Sequence, residues 1–533
     1  MKKHLFVLFL SLYLTFQNVS AQQIDWAIYD TSDYALNPSY LAVPIAADGN
    51  ENVYTAWLME YDQTSSQHAY GRQVISGFSA QGSALFRHTL GNKAEVSALE
   101  KTPSGELIII GTFMDTLSWD STLLLTVNNP APNSRNAFLL FLDSTGSVLR
   151  SRNLTLTYPD LQEPFHLDID PYGNAWVAFF SWTTGYAIGL DALGQDSVVR
   201  NLSGMQATMS DFAVDASGSV YVSGGIGFGS FIFAGLPVNV TDNYSSYLAK
   251  VDASGNGSWF KTIPDITFQD SKIGVSGNCI YFTRSLSDSV TVEGFHLDGP
   301  QWVYDVLTVK YDTAGNVIWA KDIPAQPSIT GDLKVGFGNY LVADNSGGYY
   351  QLMDYRGQVD LGNFVVVGAP GTTTSRGATL VYYDGNGLPQ FHLDVSGVNG
   401  LFSYSVALSS NNTGYFSGTA RGGAQIGSTA IVTPDPFDFV SWVAKFSQTG
   451  TSVSSLNPEL LTIYPNPSSG ERVCFTTPMG KGILTILDVQ GSKVKEILIS
   501  EKTECIYVDL PNGLYMVNVN SYDGSFTRKL IVQ

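Results

Sequence analysis

Six histidines, 47 Asp and Glu and three cysteines are the groups in this 533-residue sequence best suited to acid–base, nucleophilic or metal chemistry. The histidines are His4, His68, His88, His166, His296 and His392. None lies in an HExxH pair or beside another histidine, and there is no GxSxG elbow, phosphate loop or Cys–His pairing. They read as structural or exposed side chains. Gly224-Gly-Ile-Gly-Phe-Gly229 has the glycines of a dinucleotide loop. Phe231-Ile-Phe233 follows it instead of a helix, so it reads as a glycine-relieved strand or bulge. Asp384-Gly-Asn-Gly387 matches half of a calcium loop without its further oxygens or terminal Glu. It reads as a hairpin turn; calcium is the one cation left open, and no other cofactor is expected. A pair of carboxylates flanking a glycosidic bond is compatible with so many acids, but spacing in sequence does not fix separation in space. Trp57, Trp176, Trp182, Trp259, Trp319 and Trp442 suit sugar stacking, yet most fall in strand-like runs, where packing is the default.

Cys279 reads as a core residue at a strand start. Cys474 and Cys505 sit in two predicted strands near the C-terminus. In an oxidising compartment they form a disulfide worth roughly 3–4 kcal/mol; the alternative is two buried thiols. With no CxxC and no Cys/His cluster, a structural zinc site is not expected.

The elements that must position these groups are β-strands. Charged residues make up only 14% of the chain, against roughly 25% in ordinary soluble domains, while Gly (52), Tyr (28) and Phe (29) abound. Between residues 40 and 450 two kinds of turn alternate. The first kind is exemplified by Asp170-Pro-Tyr-Gly173-Asn-Ala-Trp-Val177 and Asp215-Ala-Ser-Gly218-Ser-Val-Tyr-Val222. The second follows a strand, as in Ala249-Lys-Val-Asp252-Ala-Ser-Gly255 and Val309-Lys-Tyr-Asp312-Thr-Ala-Gly315. In Asp-x-x-Gly the carboxylate accepts amides ahead of it and Gly takes the left-handed conformation that closes a hairpin. The starts pair as 48 with 79, 102 with 143, 170 with 191, 215 with 252, 275 with 312, 336 with 384, and 411 with 447. Two hairpins make four strands, so seven pairs predict an all-β propeller of about seven blades. The segment Ile24 to Tyr29 supplies the strand that clasps the ring shut. A string of β-sandwiches is the competing architecture.

These repeats resemble those of bacterial extracellular β-propeller proteins with a D-x-x-G-N-x-Y-V-x-G strand–turn–strand. Asp215 to Gly224 carries most of that pattern, with Ser219 in place of Asn, and Asp170 to Val177 has Trp176 for Tyr. The resemblance implies a fold; such propellers serve as binders, enzymes and scaffolds alike.

A polar stretch broken by Asn457-Pro458 precedes Leu461-Thr-Ile-Tyr-Pro-Asn-Pro-Ser-Ser-Gly470. Then come Leu484-Thr-Ile-Leu-Asp-Val-Gln-Gly491, Val508-Asp-Leu-Pro-Asn-Gly-Leu-Tyr515 and the terminal Arg528-Lys-Leu-Ile-Val-Gln533. These four elements, in this order, resemble the type A sorting domain of the type IX (Por) secretion system. The resemblance implies a small antiparallel sandwich recognised by an outer-membrane export machine. It assigns recognition to Tyr464, Pro465, Asn466, Pro467, Gly513, Tyr515 and Lys529.

At the other end, Lys2 and Lys3, the apolar run Leu5 to Phe16 and small Val19-Ser20-Ala21 have the layout of a secretory signal peptide. No stretch reaches the roughly 20 apolar residues of a spanning helix. Removing residues 1–21 moves the net charge from −19 to −21, which disfavours nucleic acid and anionic membranes as partners. The expected organisation is a signal peptide (1–21), a propeller-like repeat domain (22–450), a linker (451–459) and a sorting domain (460–533). The expected function is that of a secreted or surface-displayed binder of a glycan or protein, exported by the type IX machinery. A carbohydrate-active hydrolase or lyase with acids meeting at the central channel, and a passive surface-layer or adhesion component, are the alternatives.

Overall fold

The computed structural model describes residues 22–448 and 462–533, apart from 31–41, 62–70, 128–134, 160–164, 265–269, 300–303, 324–331, 362–364, 368–375, 469–471, 477–481, 489–492, 500–502 and gaps of one or two residues. Gln22–Gln448 forms one compact unit, and the residues from 462 onward belong to a second. Both are built from antiparallel strands, as the all-β reading expects; one short 3-10 turn, Leu154–Leu156, is the only helix among the described residues.

The turn chemistry explains why strands start where they do. The Asp215 carboxylate accepts the amides of Ser217 and Ser219 at 2.8 and 3.0 Å, and its second oxygen takes the Tyr221 hydroxyl at 2.9 Å. Asp48 bonds the Tyr54 hydroxyl (2.9 Å) and Asp170 the Trp176 indole (3.2 Å) in the same way. The Asp, the residue four on and the aromatic six on are therefore one hydrogen-bonded unit that fixes both the hairpin and its first buried ring. Asp252, Asp312 and Asp384 cap the second-kind turns through the amides two and four residues on.

Seven four-stranded units follow. The first is Ile45–Ala47, Val53–Tyr61, Gly71–Phe78 and residues 84–94. The second is residues 94–101, Leu107–Met114, Arg135–Leu142 and Val148–Asn153, so the long strand Ala84–Lys101 serves both. The third (Phe165 to Asn201), fourth (Asp211 to Pro264) and fifth (Ser271 to Ile323) are separate four-stranded sheets. In the sixth, Asp332–Lys334 and Leu341–Ala343 share one edge of Tyr349–Arg356, followed by Arg376–Tyr383 and Pro389–Gly397. The seventh consists of Leu401–Ser410, Thr413–Arg421 and Phe439–Gln448, and its fourth strand is Gln22–Asp30 from the other end of the unit. The expected clasp, Ile24 to Tyr29, lies within that strand.

Two turn assignments need correction. The sixth first-kind turn is Asp344-Asn-Ser-Gly347, whose carboxylate accepts Ser346 and Gly348 amides, and not the segment at 336. A Cβ on Gly338 would lie 1.8 Å from the Tyr404 carbonyl, so that glycine serves close backbone approach rather than a hairpin. At the seventh second-kind position no hairpin follows Ser447, because Ser447 pairs with Gln23 of the clasp strand; residues 449–450 lie outside the described residues.

From the third sheet onward each sheet is tied to the next, and the seventh to the residues leading into the first. Val214 N–H donates to Asp168 (2.8 Å), Ile273 N–H to Asp211 (2.6 Å), Val335 N–H to Ser285 Oγ (3.1 Å) and Ser403 N–H to Asp354 (2.9 Å). Ser417 Oγ donates to the Val43 carbonyl at 2.6 Å, joining the seventh sheet to the lead-in of the first.

A second set of ties lies at the turns. Lys250 and Trp259 are cross-strand neighbours, and both donate to the Thr313 carbonyl in the next sheet (3.1 and 3.2 Å). Lys310 and Trp319 repeat this at Gly385 (2.8 and 3.2 Å). Lys445 and Trp26 repeat it at Ala80 (3.1 and 2.9 Å), with Trp26 supplied by the clasp strand.

Candidate functional site

The first strands of neighbouring sheets adjoin one another and carry several carboxyls and bases that burial shifts far from ordinary titration. Glu100, His166, Asp168, Asp211, Asp270 and Lys272 lie on or beside the first strands of the second to fifth sheets. Burial pushes the Glu100 carboxyl up to about 8, helped by the negative charge of Asp168. Burial likewise raises Asp168 to about 7 against two amide hydrogen bonds, and Asp211 to about 6 against the Lys272 charge. His166 is driven down to about 3 by burial and by Lys272, and its Nδ1 is 3.9 Å from Asp211. Burial lowers Lys272 too, and its ammonium donates to the Ser210 carbonyl at 3.1 Å.

Such a group of shifted acids is what a catalytic channel requires, but their hydrogen bonds describe other work. Asp168 and Asp211 each accept the amide of the following sheet, so these carboxylates are seam ties first. Sequence reasoning missed all six as a group. The available signal was a charge inside an otherwise apolar strand, as in His166-Leu-Asp-Ile169 and Asp211-Phe-Ala-Val214.

The other groups singled out in sequence are placed plainly. Trp57, Trp176 and Trp442 are buried, and Trp259 and Trp319 are spent on the turn ties, so packing holds for these; Trp182 lies outside the described residues. His88 bonds Asp120 (2.6 Å) between the Phe86 and Trp119 rings, and His392 lies 3.0 Å from Asp394. His4 and His68 lie outside the described residues. The glycine run is the bulge expected: the register shifts between Gly227 and Gly229, and a Cβ on Gly224 would meet the Thr208 carbonyl at 1.9 Å. Asp384 spends its carboxylate on Asn386 and Leu388 amides, as a hairpin turn does. Among the described residues no group of three His, Cys, Asp or Glu is arranged to hold a metal ion.

In the C-terminal unit two sheets share one core of Val473, Phe475, Leu484, Ile486, Val517 and Leu530. One holds Thr462–Tyr464, Arg472–Thr476 and Thr503–Tyr507; the other runs in the order Lys493–Ile499, Gly482–Leu487, Gly513–Ser521, Gly524–Val532. Cys474 and Cys505 face each other across neighbouring strands and are joined as a disulfide.

Three of the sequence elements meet at the last strand. Asn466 Oδ1 accepts the Ile531 amide (2.9 Å), Ser468 N–H donates to the Ile531 carbonyl (2.7 Å), and Gln533 N–H returns to Ser468 (2.8 Å). Gly513 pairs with Val532 and Tyr515 with Leu530, while the Tyr515 hydroxyl donates to the Pro511 carbonyl at 2.8 Å. Tyr464 and Pro467 are exposed, and the Asn466–Pro467 bond is cis. Lys529 pairs with Met516 in the strand register; Pro465 lies outside the described residues.

Residues 462–533 match the family described as the secretion system C-terminal sorting domain. The chain therefore carries a type IX sorting tail, which directs export to the cell surface or extracellular space. Among the described residues no helix is long and apolar enough to cross a membrane. No curated protein matches the chain.

Solved structures resemble it distantly. PorZ, a bacterial surface component of the type IX secretion system of Porphyromonas gingivalis, is 11% identical with a TM-score of 0.25, over 92% of this chain and 70% of that one. A chain of the mitotic checkpoint complex is 10% identical (TM-score 0.38), over 84% of this chain and 99% of that one. Rhamnogalacturonan lyase YesW is 12% identical (TM-score 0.31), over 70% and 75%. None of these likenesses is close enough to bear on function.

Proposed function

We propose that the protein is a secreted binding scaffold: a seven-bladed propeller delivered by its sorting domain to the outer surface, where it engages a partner without chemistry of its own. The observation that carries this reading is the meeting of the Asn466–Ser468 segment, Gly513 and the terminal strand at one edge of the sorting domain. Tyr464, Pro465, Asn466, Pro467, Gly513, Tyr515 and Lys529 are the recognition residues in this reading. Residues 1–21 act as the signal peptide that first brings the chain across the inner membrane. The ring, about residues 22–450, is the cargo, and 451–459 the linker.

The hydrolase or lyase alternative is favoured by one specific observation, the group of raised carboxyls on the first strands. We rank it second because two of the three accept the amide of the following sheet. The deciding experiment incubates the ring with a panel of polysaccharides and glycoproteins, scoring retention and product release together. Retention without new chain ends supports the scaffold; new reducing or unsaturated ends would transfer the function to the first-strand acids. For export, truncation of Gly524–Gln533 in a type IX-competent host is expected to hold the protein in the periplasm. Unchanged surface delivery would remove the sorting role.

A further inference from the structure

Most arginines of the ring are spent on a partner. Arg87, Arg150 and Arg152 hold Asp30, Glu106 and Asp196 at 2.6, 2.7 and 2.6 Å, and Arg200 and Arg284 donate to the Ala253 and Pro264 carbonyls. Two differ. Among the described residues the Arg356 and Arg421 guanidiniums form no hydrogen bond or ion pair, and Nε of each is buried without a partner. A partly desolvated cation with no counter-charge is costly. This chain has 47 Asp and Glu against 28 Lys and Arg, so partners were not scarce.

The two arginines occupy one position of the repeat. Each ends the second strand of its sheet, Tyr349–Arg356 in the sixth and Thr413–Arg421 in the seventh. Each follows a buried tyrosine, Tyr350 or Tyr415, by six residues, and even spacing keeps both on one face of the strand. That face looks towards the following sheet: Tyr350 packs on Phe446, and the Tyr415 hydroxyl donates to the Glu51 carbonyl. In the strand register Arg376 stands directly opposite Arg356, with Asp332 on its other side.

Arg421 is the better built of the two. Phe437 and Phe439 lie against its guanidinium, with ring centroids 4.8 and 5.4 Å from Cζ. Phe439 is its cross-strand partner and is buried, while Phe437 is 63% exposed. The turn that carries Phe437 is pinned, since Gly422 N–H donates to the Asp438 carbonyl and Asn399 Nδ2 to the Pro436 carbonyl, both at 3.0 Å. The nearest acids in sequence, Asp435 and Asp438, are spent inside that turn on the Phe437 and Asp435 amides (2.8 and 3.1 Å). A guanidinium resting on aromatic rings keeps its in-plane N–H fork, which matches a carboxylate with two parallel hydrogen bonds. The exposed Phe437 ring beside it offers an apolar face to the C–H side of a sugar.

Backbone pairing argues against a peptide as the occupant. Thr413–Arg421 lies between Leu401–Ser410 and Phe439–Gln448, and Tyr349–Arg356 between Asp332–Lys334 and Arg376–Tyr383. Neither strand presents a free edge for a peptide to extend. A chain of acidic sugars needs no such edge, and it repeats its carboxylate, which suits two arginines one sheet apart.

We propose that Arg421, with Phe437, is a subsite for the carboxylate of a uronic-acid sugar, and that Arg356 takes a second acid group of the same glycan. This rests on the binding-scaffold reading and narrows its partner from glycan or protein to an acidic glycan. The negative charge of the whole chain opposes approach from afar, but at about 0.15 M salt that field is screened beyond about 8 Å and the local fork decides.

The test is calorimetric titration of the full secreted chain with an oligoalginate in physiological salt. A neutral oligosaccharide of the same length, polyglutamate and inorganic phosphate are the comparisons. The oligoalginate is expected to bind, about tenfold more weakly in Arg421→Gln and by smaller factors in Arg356→Gln and Phe437→Ala. Arg421→Lys keeps the charge and loses the fork, and it is expected to remain weaker than the parent. Arg87→Gln removes the same charge from a paired site and is expected to bind as the parent does. Thermal unfolding of each variant checks the fold.

Absence of oligoalginate binding, equal loss in Arg87→Gln, full binding by Arg421→Lys, or equally tight binding of the neutral oligosaccharide would overturn the proposal and leave the scaffold reading standing. Polyglutamate or phosphate held as tightly through Arg421 would also overturn it, by making the site a receptor for any anion. Release of new unsaturated or reducing ends that falls in Arg421→Gln would sink the scaffold reading and support the carboxylate subsite.

Discussion

In the ring, a Lys–Trp pair of one sheet hydrogen-bonds a turn carbonyl of the next, at Thr313, Gly385 and Ala80. In the sorting domain, one disulfide joins neighbouring strands and one short segment, Asn466–Ser468, holds the end of the last strand. Both tie together residues far apart in sequence, but they distribute the load differently. The ring repeats a modest tie at three of its seams, so the loss of one is local. The sorting domain has few buried residues from which to build a core, and small domains of that size lean on a staple. Only the ring closes through a strand from its opposite end, because no strand follows Gln448 within that unit.

The largest effect is therefore expected from removing Gln22–Asp30. The change strips the fourth strand from the seventh sheet, removes Trp26 from the Ala80 tie and exposes the Phe439–Gln448 edge. Calorimetry should show the ring Tm falling by about 10 °C or more, with self-association on size exclusion. A Tm within a degree or two of the parent would mean that the ring does not depend on its clasp.

Next comes the staple. Cys474→Ser is expected to destabilise the sorting domain by about 3 kcal/mol and leave the ring as it was. All nine tryptophans precede residue 450, so tryptophan fluorescence in a urea titration follows the ring alone, and hydrogen exchange follows the sorting domain. A shift of the fluorescence midpoint would show that the two units are coupled.

A single ring tie should matter less than either. Trp319→Ala is expected to cost about 2–3 kcal/mol, below a fully buried Trp because the ring is partly exposed. Lys310→Met should cost less, about 1 kcal/mol, since it keeps the apolar stem and loses one hydrogen bond. Losses as large as those of the clasp deletion would break the idea of a distributed load.

The smallest effect is on pH. Glu100, Asp168 and Asp211 have folded-state values of about 8, 7 and 6, above the ordinary carboxyl range near 4. A raised carboxyl supports the fold fully below its unfolded value, and that support is lost as pH rises through 6 to 8. The ring Tm should fall between pH 5.5 and 8.5, and Asp168→Asn should flatten the slope. In the opposite direction, Asp48 and Asp215 are held below the ordinary value, mainly by hydrogen bonds that outweigh burial, so stability is also lost as pH drops towards 3. A Tm that rises from pH 5.5 to 8.5 would contradict the first-strand burial.

The repeat was legible in sequence because its chemistry is local. An Asp, a Gly three residues on and an aromatic six on are read from one short window, and together they located most hairpins and the count of seven. The clasp was legible as an isolated strand-like run, Ile24 to Tyr29, standing before the first turn of the repeat. The sorting motifs were legible because their order is fixed.

What escaped depended on partners a whole sheet away. Nothing near Lys310 or Trp319 in sequence points to Gly385, and nothing near Asp211 points to Ile273. The sixth first-kind turn was misplaced because Gly336 and Gly338 imitate a turn while serving close approach to Tyr404. The extra hairpins between second and third strands of a sheet went unread although Ala234-Gly235 and Glu293-Gly294, with positive φ at both residues, mark tight hairpin turns between alternating strands.

Hydrogen exchange on the intact chain tests closure of the ring most directly. If Gln22–Asp30 is the fourth strand of the seventh sheet, the amides of Phe439–Gln448 should be protected as strongly as those of Leu236–Val251. In the Gln22–Asp30 deletion that protection should collapse, together with that of the turn at Ser79 to Gly82. Equal protection with and without the clasp strand would contradict a ring closed by its own N-terminal segment.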